Sequence, residues 1–349
     1  MRERLERLQE ELGRRGLDAC LVLRHQRYFS GTSAGTAVLL RREGKPLLFC
    51  SRMELERARR ESRLPVLPYG SEPSEELWKV AGKVLRKGGE KRVAYDEASP
   101  SFLCKLRREA GEIRLLKFKG FFGEFCEPKT PREIGWMRKA AEIALKGLEC
   151  ASELVGEGRS EREIAAEVEY EMRKAGSEGT PFPTIVASGR NSLLPHATST
   201  SKKLRRGELV VVDLGALYRG YSSDLTRTFA LFPSRRQEKL VEAVKAAQLA
   251  ALERVKAGEK AERVEEAARE ELEAGGYGKH LLHGVGHGIG LEVHESPSLR
   301  RGSRDVLRKN SVITVEPGAY VPGVGGARWE DMAVVKEGGA ALLSGGEGV

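Results

Sequence analysis

The chain contains few cysteines and no long apolar run. Only 5 of its 349 residues are cysteine, and none of them forms a C-x-x-C pair. An odd number of isolated cysteines predicts free thiols in a reducing compartment rather than a disulfide framework. No stretch approaches the ~18 consecutive apolar residues of a membrane span, and the charged amino-terminal segment lacks the apolar centre of a signal peptide. We therefore expect a cytoplasmic protein without a membrane partner.

The chain also lacks an extended basic tail, although its net charge is +9. Most basic residues are interleaved with glutamate, as in residues 59–61 and 263–265, and only short clusters such as residues 202–206 are purely basic. This pattern is typical of solvated helix faces, with a polyanion-binding surface as the alternative. We expect no nucleic-acid partner.

Residues 1–125 alternate helical and strand patterns, which is typical of a small α/β domain. Helical patterns cover the charged start of the chain and residues 76–87, and strand patterns cover residues 19–23, 36–40, 46–50 and 92–95.

A second domain is predicted over residues 126–349. Thr130 can cap a helix that has Pro131 at its first position and Glu133 at its third, so this domain opens with a helix. The remaining sequence is rich in strand patterns and glycine, with further helical patterns at residues 160–174, 236–256 and 262–274. The fold class expected for the chain is α+β.

Two aspartates of the second domain are predicted to lie close together. Asp213 interrupts the apolar run 209–214, which has the pattern of a buried strand. A carboxylate in such a strand is costly unless a cation or hydrogen-bond donors compensate it. Asp224 follows beyond a turn predicted at residues 218–220. Because the midpoint of the two positions falls in that turn, a hairpin would make them cross-strand neighbours, roughly 5 Å apart at Cβ.

Glu316 and Glu330 show the same arrangement around a turn predicted at residues 322–326. Together with His287, the two hairpins offer four carboxylates and one imidazole, which suit Mn²⁺, Co²⁺, Fe²⁺ or Zn²⁺. No cysteine falls among them, so a thiolate centre is not expected. Two such ions ~3.5–4 Å apart can activate water for attack at neutral pH.

A glycine-rich segment at residues 283–295, HGVGHGIGLEVHE, carries three of the 6 histidines of the chain. Alternating glycines let the backbone approach a crowded centre. The alternative is a glycine-rich loop whose histidines are incidental. Another histidine follows a proline outside any helical pattern. The histidines predicted to be functional are His196, His283, His287 and His294.

Several motifs of the second domain resemble those of the pita-bread metallopeptidases. They are VDLG at 212–215, YSSDLTRT at 221–228, HGVGHGIGLEVHE at 283–295, VEPG at 315–318 and RWED at 328–331. Within that family the sequence is most similar to the proline-specific branch, Xaa-Pro dipeptidase (prolidase) and aminopeptidase P. Residues 27–31 and 51–54 are similar to the creatinase-like N-terminal domain of these enzymes. The resemblance thus implies a pita-bread domain after a smaller, creatinase-like α/β domain.

The resemblance implies two divalent metal ions, manganese or cobalt ahead of iron or zinc. The ligands that it implies are Asp213, Asp224, His287, Glu316 and Glu330. In the family pattern, Asp224 and Glu330 bridge the two ions. Thr226 would hydrogen-bond a ligand carboxylate from outside the ligand set.

Other catalytic roles follow from the same resemblance. His196 and His294 would face the substrate and steady the carbonyl as it gains negative charge. Glu316 would carry the proton to the leaving nitrogen. The remaining matches are His283, a histidine typical of the proline-specific branch, and Arg328, which lies beside the last ligand. Trp329 departs from the family pattern, in which an aliphatic residue is usual.

The activity implied is that of a metallo-exopeptidase that hydrolyses the bond before proline in a proline-containing peptide. A prolidase acting on Xaa-Pro dipeptides is favoured, because the compact chain resembles microbial prolidases. Aminopeptidase P, which acts on longer peptides, is the alternative. Methionine aminopeptidase, creatinase-type chemistry and a non-catalytic pita-bread binding module fit less well, because of the large N-terminal domain, His283 and the intact ligand set. The resemblance also implies a homodimer.

Overall fold

The computed structural model of the chain describes residues 2–72 and 75–344. The chain divides into two compact units, Met1–Cys126 and Glu127–Val349, one residue after the boundary expected from the sequence. Within the described ranges, every helix is too short or too polar to cross a bilayer.

The first unit is built on one mixed sheet with helices. Its helices are α1 (Arg2–Arg14), α2 (Arg27–Ser30), α3 (Leu55–Glu61), α4 (Leu77–Gly88) and α5 (Pro100–Ala110). Its strands are β1 (Ala19–Val22), β2 (Ala37–Arg41), β3 (Leu47–Ser51), β4 (Val66–Tyr69), β5 (Arg92–Tyr95) and β6 (Arg114–Lys117). The strand order is β4-β3-β2-β1-β5-β6.

This sheet is buried on both faces. Alternate residues of the central strands, such as Leu21 and Leu39, pack with Ala81 and Leu85 of α4 and Leu106 of α5. The intervening strand residues are buried as well. Strands that are covered on both faces have continuous apolar sequences. The three strands predicted between residues 19 and 50 were recognised by such apolar runs.

The second unit contains long helices and several small antiparallel sheets. Its helices are α6 (Pro131–Leu154), α7 (Glu161–Lys174), α8 (Arg235–Arg254) and α9 (Ala261–Ala274). Its first strands are β7 (Ile185–Ser188), β8 (Leu209–Leu214), β9 (Leu217–Tyr218), β10 (Tyr221–Ser222) and β11 (Leu225–Ala230). The later strands are β12 (Gly286–Gly288), β13 (Glu295–Leu299), β14 (Val312–Val315), β15 (Gly318–Val321), β16 (Gly325–Arg328), β17 (Asp331–Val335) and β18 (Ala340–Leu342).

Two sheets of the second unit meet at the carboxylates. One has the strand order β11-β8-β7, and the other has the order β13-β12-β14-β17-β18. A single bridge between Thr226 and Glu330 joins the edge strand β11 to the second sheet. Helices α8 and α9 bury an apolar stripe against β14 and β17 through residues such as Val244 and Ala268, which gives the site a rigid support.

Helix caps predicted from the sequence are present. Thr130 Oγ1 accepts a hydrogen bond from the backbone N–H of Glu133, whose carboxylate accepts from the Thr130 N–H at 2.7 Å. Helices α4, α7, α8 and α9 lie within two residues of their predicted positions, and α6 begins at Pro131 as predicted. Helices α3 and α5 and strands β4 and β6 were not predicted, because they are short or have no clear apolar period.

Candidate metal centre

The hairpin formed by β8 and β11 carries the two aspartates. The predicted hairpin is confirmed, but direct pairing of Asp213 with Asp224 is wrong, because Asp213 pairs with Thr226. The chain leaves the ladder after Leu214 and makes the small β9–β10 hairpin. A Cβ at Gly215 would lie 2.2 Å from the Ser223 carbonyl oxygen, so the backbone approaches here more closely than a regular ladder allows. Asp224 is therefore a diagonal neighbour of Asp213.

The second hairpin has the predicted register. Strand β14 pairs with β17 through Val315 and Asp331, and β15 pairs with β16 through Gly318 and Arg328. These pairs belong to one continuous register, which places Glu316 opposite Glu330. The backbone N–H of Glu330 donates to the Thr226 carbonyl at 3.1 Å, so the two hairpins are tied together at the carboxylates.

His287 lies on β12 between two glycines that allow close backbone packing. An added Cβ would lie 2.1 Å from the Thr314 carbonyl oxygen at Gly286 and 2.1 Å from the Ser296 oxygen at Gly288. The Nδ1 of His287 lies 3.0 Å from the Gly288 carbonyl oxygen. Because a carbonyl only accepts, Nδ1 carries the hydrogen and Nε2 presents a lone pair. Burial lowers the pKa of His287 to about 4, so the ring is neutral at pH 7.

The histidine and the carboxylates converge on one point. Ligand atoms of Asp224, His287 and Glu330 all lie within 4.8 Å of one another. The Nε2 of His287 is 3.5 Å from a Glu316 oxygen and 3.7 Å from an Asp224 oxygen. Asp213 is close enough that its charge raises the pKa of both Asp224 and Glu316. The structure thus brings together all the residues predicted as ligands.

Burial and mutual repulsion make these carboxylates resist ionisation. Burial, followed by the charges of neighbouring carboxylates, raises the pKa of Asp224 and Glu330 well above the usual range. The pKa of Glu316 rises to about 8, with burial as the main cause. Such a cluster is costly unless cations neutralise it.

Several buried oxygens of the cluster are free to bind a cation. Within the part of the chain that the structure describes, Asp213 Oδ1, Asp224 Oδ1 and Glu330 Oε1 form no hydrogen bond. The other oxygens of two of these carboxylates are held: Arg328 donates to Asp213 Oδ2 at 2.6 Å, and Thr226 donates to Glu330 Oε2 at 2.8 Å. In Asp213 and Glu330, one oxygen is thereby held by a donor while the other is left available to a cation. This donor set fits hard divalent cations.

Arg328 connects the cluster to its surroundings. Its guanidinium is buried and also donates to Thr226 Oγ1 at 3.2 Å, to the Tyr320 hydroxyl at 2.8 Å and to the Pro195 carbonyl at 3.2 Å. A planar group with a fixed fork of donors can serve partners in several directions. Tyr320 was not among the predicted site residues, because a tyrosine in a strand gives no sequence signal of such a role.

His283 reaches the cluster indirectly. Its Nδ1 is 2.6 Å from the Gly284 carbonyl oxygen and its Nε2 is 2.8 Å from the Tyr320 hydroxyl. The hydroxyl donates to Nε2 and accepts from Arg328, which requires a neutral ring. Burial lowers the pKa of His283 to about 4, in agreement with that state. His283 is thus a neighbour of Tyr320 rather than of the carboxylates.

The two histidines predicted to face the substrate are exposed. The ring of His294 lies against that of His287, with centroids 4.4 Å apart and an interplanar angle of 62°. His196 lies close enough to His283 to influence its pKa. Their roles toward a substrate stay predictions.

The buried ion pair of Arg227 and Asp331 lies next to the backbone of Glu330. Arg227 donates to the Glu330 carbonyl at 2.6 Å and to Asp331 Oδ1 at 2.8 Å. The centre of the Trp329 ring lies 4.6 Å from the Arg227 guanidinium carbon and 3.8 Å from the Lys245 ammonium nitrogen. Such cation–π contacts give the aromatic side chain partners at a position where an aliphatic residue was expected. The pairing of Arg227 with Asp331 was not predicted, although both residues lie within the quoted motifs.

Comparison with known families matches both parts of the chain. Residues 135–337 match "Metallopeptidase family M24", and residues 4–124 match "Creatinase/Prolidase N-terminal domain". The chain is 37% identical to the Xaa-Pro dipeptidase of Pyrococcus furiosus over 99% of its own length and 98% of that protein.

Solved structures of similar proteins share the whole architecture. The prolidase from Pyrococcus horikoshii OT3 superposes with a TM-score of 0.89 at 36% identity, covering 99% of both chains. The X-Pro aminopeptidase from Thermotoga maritima MSB8 superposes with a TM-score of 0.88 at 33% identity, covering 98% of this chain and 97% of the other. Similarity of fold therefore does not separate a dipeptidase from an aminopeptidase.

Proposed function

Because the chain belongs to metallopeptidase family M24, we propose that it is a metal-dependent Xaa-Pro dipeptidase. The family implies divalent metal ions. We propose two per subunit, manganese or cobalt, held by Asp213, Asp224, His287, Glu316 and Glu330. The observation that carries this proposal is the set of buried, unbonded carboxylate oxygens of the cluster, at a place where ionisation is otherwise unfavourable.

Divalent ions held by these residues would supply an activated water and a Lewis acid for the scissile carbonyl. Arg328 and Thr226 keep the ligand carboxylates in one orientation, since each occupies one oxygen and leaves the other free. The hydrogen bond from Nδ1 of His287 to Gly288 does the same for the imidazole by keeping Nε2 unprotonated.

The leaving group of the reaction is the proline nitrogen, which belongs to a tertiary amide and carries no hydrogen. It must gain a proton to depart, and we propose that a carboxylate oxygen of Glu316 carries that proton. His196 and His294, both exposed, are available to donate hydrogen bonds to the carbonyl oxygen as its negative charge grows.

Metal dependence is the first test of this function. We expect dialysis against a chelator to abolish hydrolysis of an Xaa-Pro dipeptide, and Mn²⁺ or Co²⁺ to restore it. Mg²⁺ serves as the matched control, because it favours an octahedral set with several waters over a cluster that includes an imidazole. Undiminished turnover by protein shown to be metal-free by elemental analysis would rule out the proposal.

Substrate length separates the two proline-specific activities. We expect kcat/KM for an Xaa-Pro dipeptide to exceed that for the Xaa-Pro-Yaa tripeptide with the same first residue by at least about 10-fold, or ~1.4 kcal/mol. A dipeptidase selects the free carboxylate beside proline, which the tripeptide replaces by a neutral amide. The matched Xaa-Ala dipeptide should be a poor substrate. A preference for the tripeptide would identify the chain as an aminopeptidase P instead. The similarity of the chain to the Thermotoga maritima X-Pro aminopeptidase is the observation that supports this alternative.

The stability of the metal-free protein should fall as the pH rises from about 7 to about 8. Glu316, with a pKa of about 8, keeps its proton in the folded state at a pH where the unfolded chain has lost it. The raised pKa values of Asp224 and Glu330 act in the same direction. His287 and His283, with pKa values of about 4, oppose this trend mainly below about pH 6.5, where unfolded histidine gains its proton.

Thermal unfolding of chelator-treated protein across this range measures the effect. Metal-loaded protein should show the opposite trend, because deprotonated ligands bind cations more tightly. A metal-free protein that becomes more stable from pH 7 to pH 8 would contradict the raised pKa values of the buried carboxylates.

The remaining expectations concern assembly and partners. We expect a homodimer, which light scattering can measure, and no retention of nucleic acid at moderate salt. A cytoplasmic location also stays a prediction.

A further inference from the structure

Glu161 is a fully buried carboxylate outside the metal cluster. It is the first residue of α7 and has 0% of its surface exposed. A buried carboxylate is costly, so its partners indicate what it does. Those partners all belong to the segment at residues 188–200, named here the His196 loop, because it carries His196.

The carboxylate accepts six hydrogen bonds from the two ends of the His196 loop. Ser188 donates to Oε1 through its N–H and its hydroxyl, both at 2.8 Å. The side-chain amide of Asn191 lies 3.0 Å from each oxygen. Thr200 donates to Oε2 through its N–H at 3.1 Å and its hydroxyl at 2.6 Å. These donors are neutral, so the negative charge strengthens each bond. Glu161 therefore clamps both ends of the loop to one point.

The middle of the His196 loop is fixed against the strand that carries Arg328. The backbone N–H of Gly326 donates to Ser192 Oγ at 2.9 Å, and a Cβ at Gly326 would lie 1.8 Å from the Ser192 carbonyl oxygen. Arg328 donates to the carbonyl of Pro195, the residue before His196. With both ends and the middle held, the backbone position of His196 is determined while its side chain stays exposed.

Helix capping does not account for Glu161. The N-terminus of α7 already has a capping box, in which Ser160 and Glu163 satisfy each other's backbone N–H groups. Glu161 contributes to the favourable interaction with the helix dipole, yet its hydrogen bonds are directed at the loop and not at the helix.

We propose that Glu161 is a positioning residue that sets the place of His196 beside the metal centre, through the hydrogen bonds of Ser188, Asn191 and Thr200. The inference rests on the proposed function for the role of His196 toward the substrate. The placement itself does not depend on catalysis and can be measured separately.

The test compares Glu161→Gln with Glu163→Gln. Both variants remove one carboxylate from the first turn of α7. In Glu161→Gln the new amide group faces the N–H donor of Asn191 in either orientation, together with the backbone N–H of Ser188 or of Thr200, so the loop must shift. We expect Glu161→Gln to lower kcat by about 10- to 100-fold, with KM changed by less than about 3-fold and metal content unchanged. Glu163→Gln should keep kcat within about 2-fold, because its hydrogen bonds are confined to the helix cap.

The second readout is the imidazole NMR spectrum of histidine-labelled, metal-free protein, in which His196→Ala identifies the His196 signal among 6 histidines. We expect Glu161→Gln to shift or broaden that signal and Glu163→Gln to leave it unchanged. An unmoved His196 signal in Glu161→Gln, or equal losses of kcat in the two variants, would overturn the inference. Inactive wild-type protein would instead refute the proposed function and leave the NMR comparison valid.

Asn191→Ala provides a second variant in case Glu161→Gln does not fold. It removes the two hydrogen bonds from Asn191 to Glu161, together with a longer one to the Thr200 hydroxyl, and leaves the charge of Glu161 in place. We expect the same signature at smaller amplitude: a shifted His196 signal and a kcat reduced by about 3- to 10-fold. A variant with wild-type kcat and an unmoved His196 signal would also overturn the inference.

Discussion

Replacing Asp224 by asparagine is expected to abolish hydrolysis and to raise the melting temperature of the metal-free protein. Residues that only orient ligands contribute about 10- to 100-fold to activity, so loss of a ligand should cost at least about 100-fold. Without metal, the buried carboxyl must take up a proton or carry an uncompensated charge, and its raised pKa reflects this cost. Asparagine has the same shape and no charge, so the cost disappears.

Calorimetry at about pH 8 and a hydrolysis assay measure both effects. We expect the Tm without metal to rise by at least about 2 °C and the stabilisation by Mn²⁺ to be largely lost. Asp331→Asn is the matched control, since Asp331 is equally buried but pairs with Arg227. Its replacement leaves the buried guanidinium of Arg227 without its counter-charge and should lower the Tm. A metal-free Asp224→Asn protein less stable than wild type would contradict the repulsive cluster.

Replacing Arg328 by methionine is expected to lower both stability and activity. The guanidinium donates to Asp213, Thr226, Tyr320 and Pro195 from a buried position. Breaking a buried ion pair by removing one partner typically costs about 3–5 kcal/mol, because the other charge stays buried. The free Asp213 carboxylate could then rotate, so metal affinity should also fall by about 10- to 100-fold.

Urea unfolding of metal-free protein and titration with Mn²⁺ measure these losses. Arg263→Met is the control, because Arg263 and Glu266 form an exposed ion pair, and water screens such pairs so strongly that they contribute little to stability. Arg328→Lys keeps the charge but not the fork of donors. We expect it to recover part of the stability and little of the activity. Equal stability of Arg328→Met and Arg263→Met would show that the network around Arg328 is dispensable.

The candidate ligands could be predicted because each is unusual in its own sequence context. Asp213 is a charge within an apolar strand, and Glu316 and Glu330 are placed symmetrically about a glycine-rich turn. Such signals are local and follow from the alternation of strands and the chemistry of turns. The glycines beside His287 were predicted to let the backbone pack closely. The close backbone contacts at Gly286 and Gly288 confirm this prediction.

The predicted pairing of Asp224 with Asp213 was wrong for a physical reason. Symmetry about a turn assumes an uninterrupted ladder, whereas the chain between Leu214 and Leu225 leaves the ladder and packs closely at Gly215. Whether a ladder continues depends on which groups can hydrogen-bond in three dimensions. The second hairpin keeps its register through residues 316 and 330, where the same reasoning succeeded.

Sequence alone identified the family, the order of the main elements and the acidic and histidine residues of the centre, because these depend on residue type and spacing along the chain. Folding decided which oxygen of each carboxylate is held and which is free, and it placed Tyr320, Asp331 and Glu161 around the site. The hydrogen bonds of Arg328 to Tyr320 and Asp213 join residues 8 and 115 positions apart, and they form only when the folded chain brings those segments together. Their direction depends on tertiary packing, which spacing along a chain does not encode.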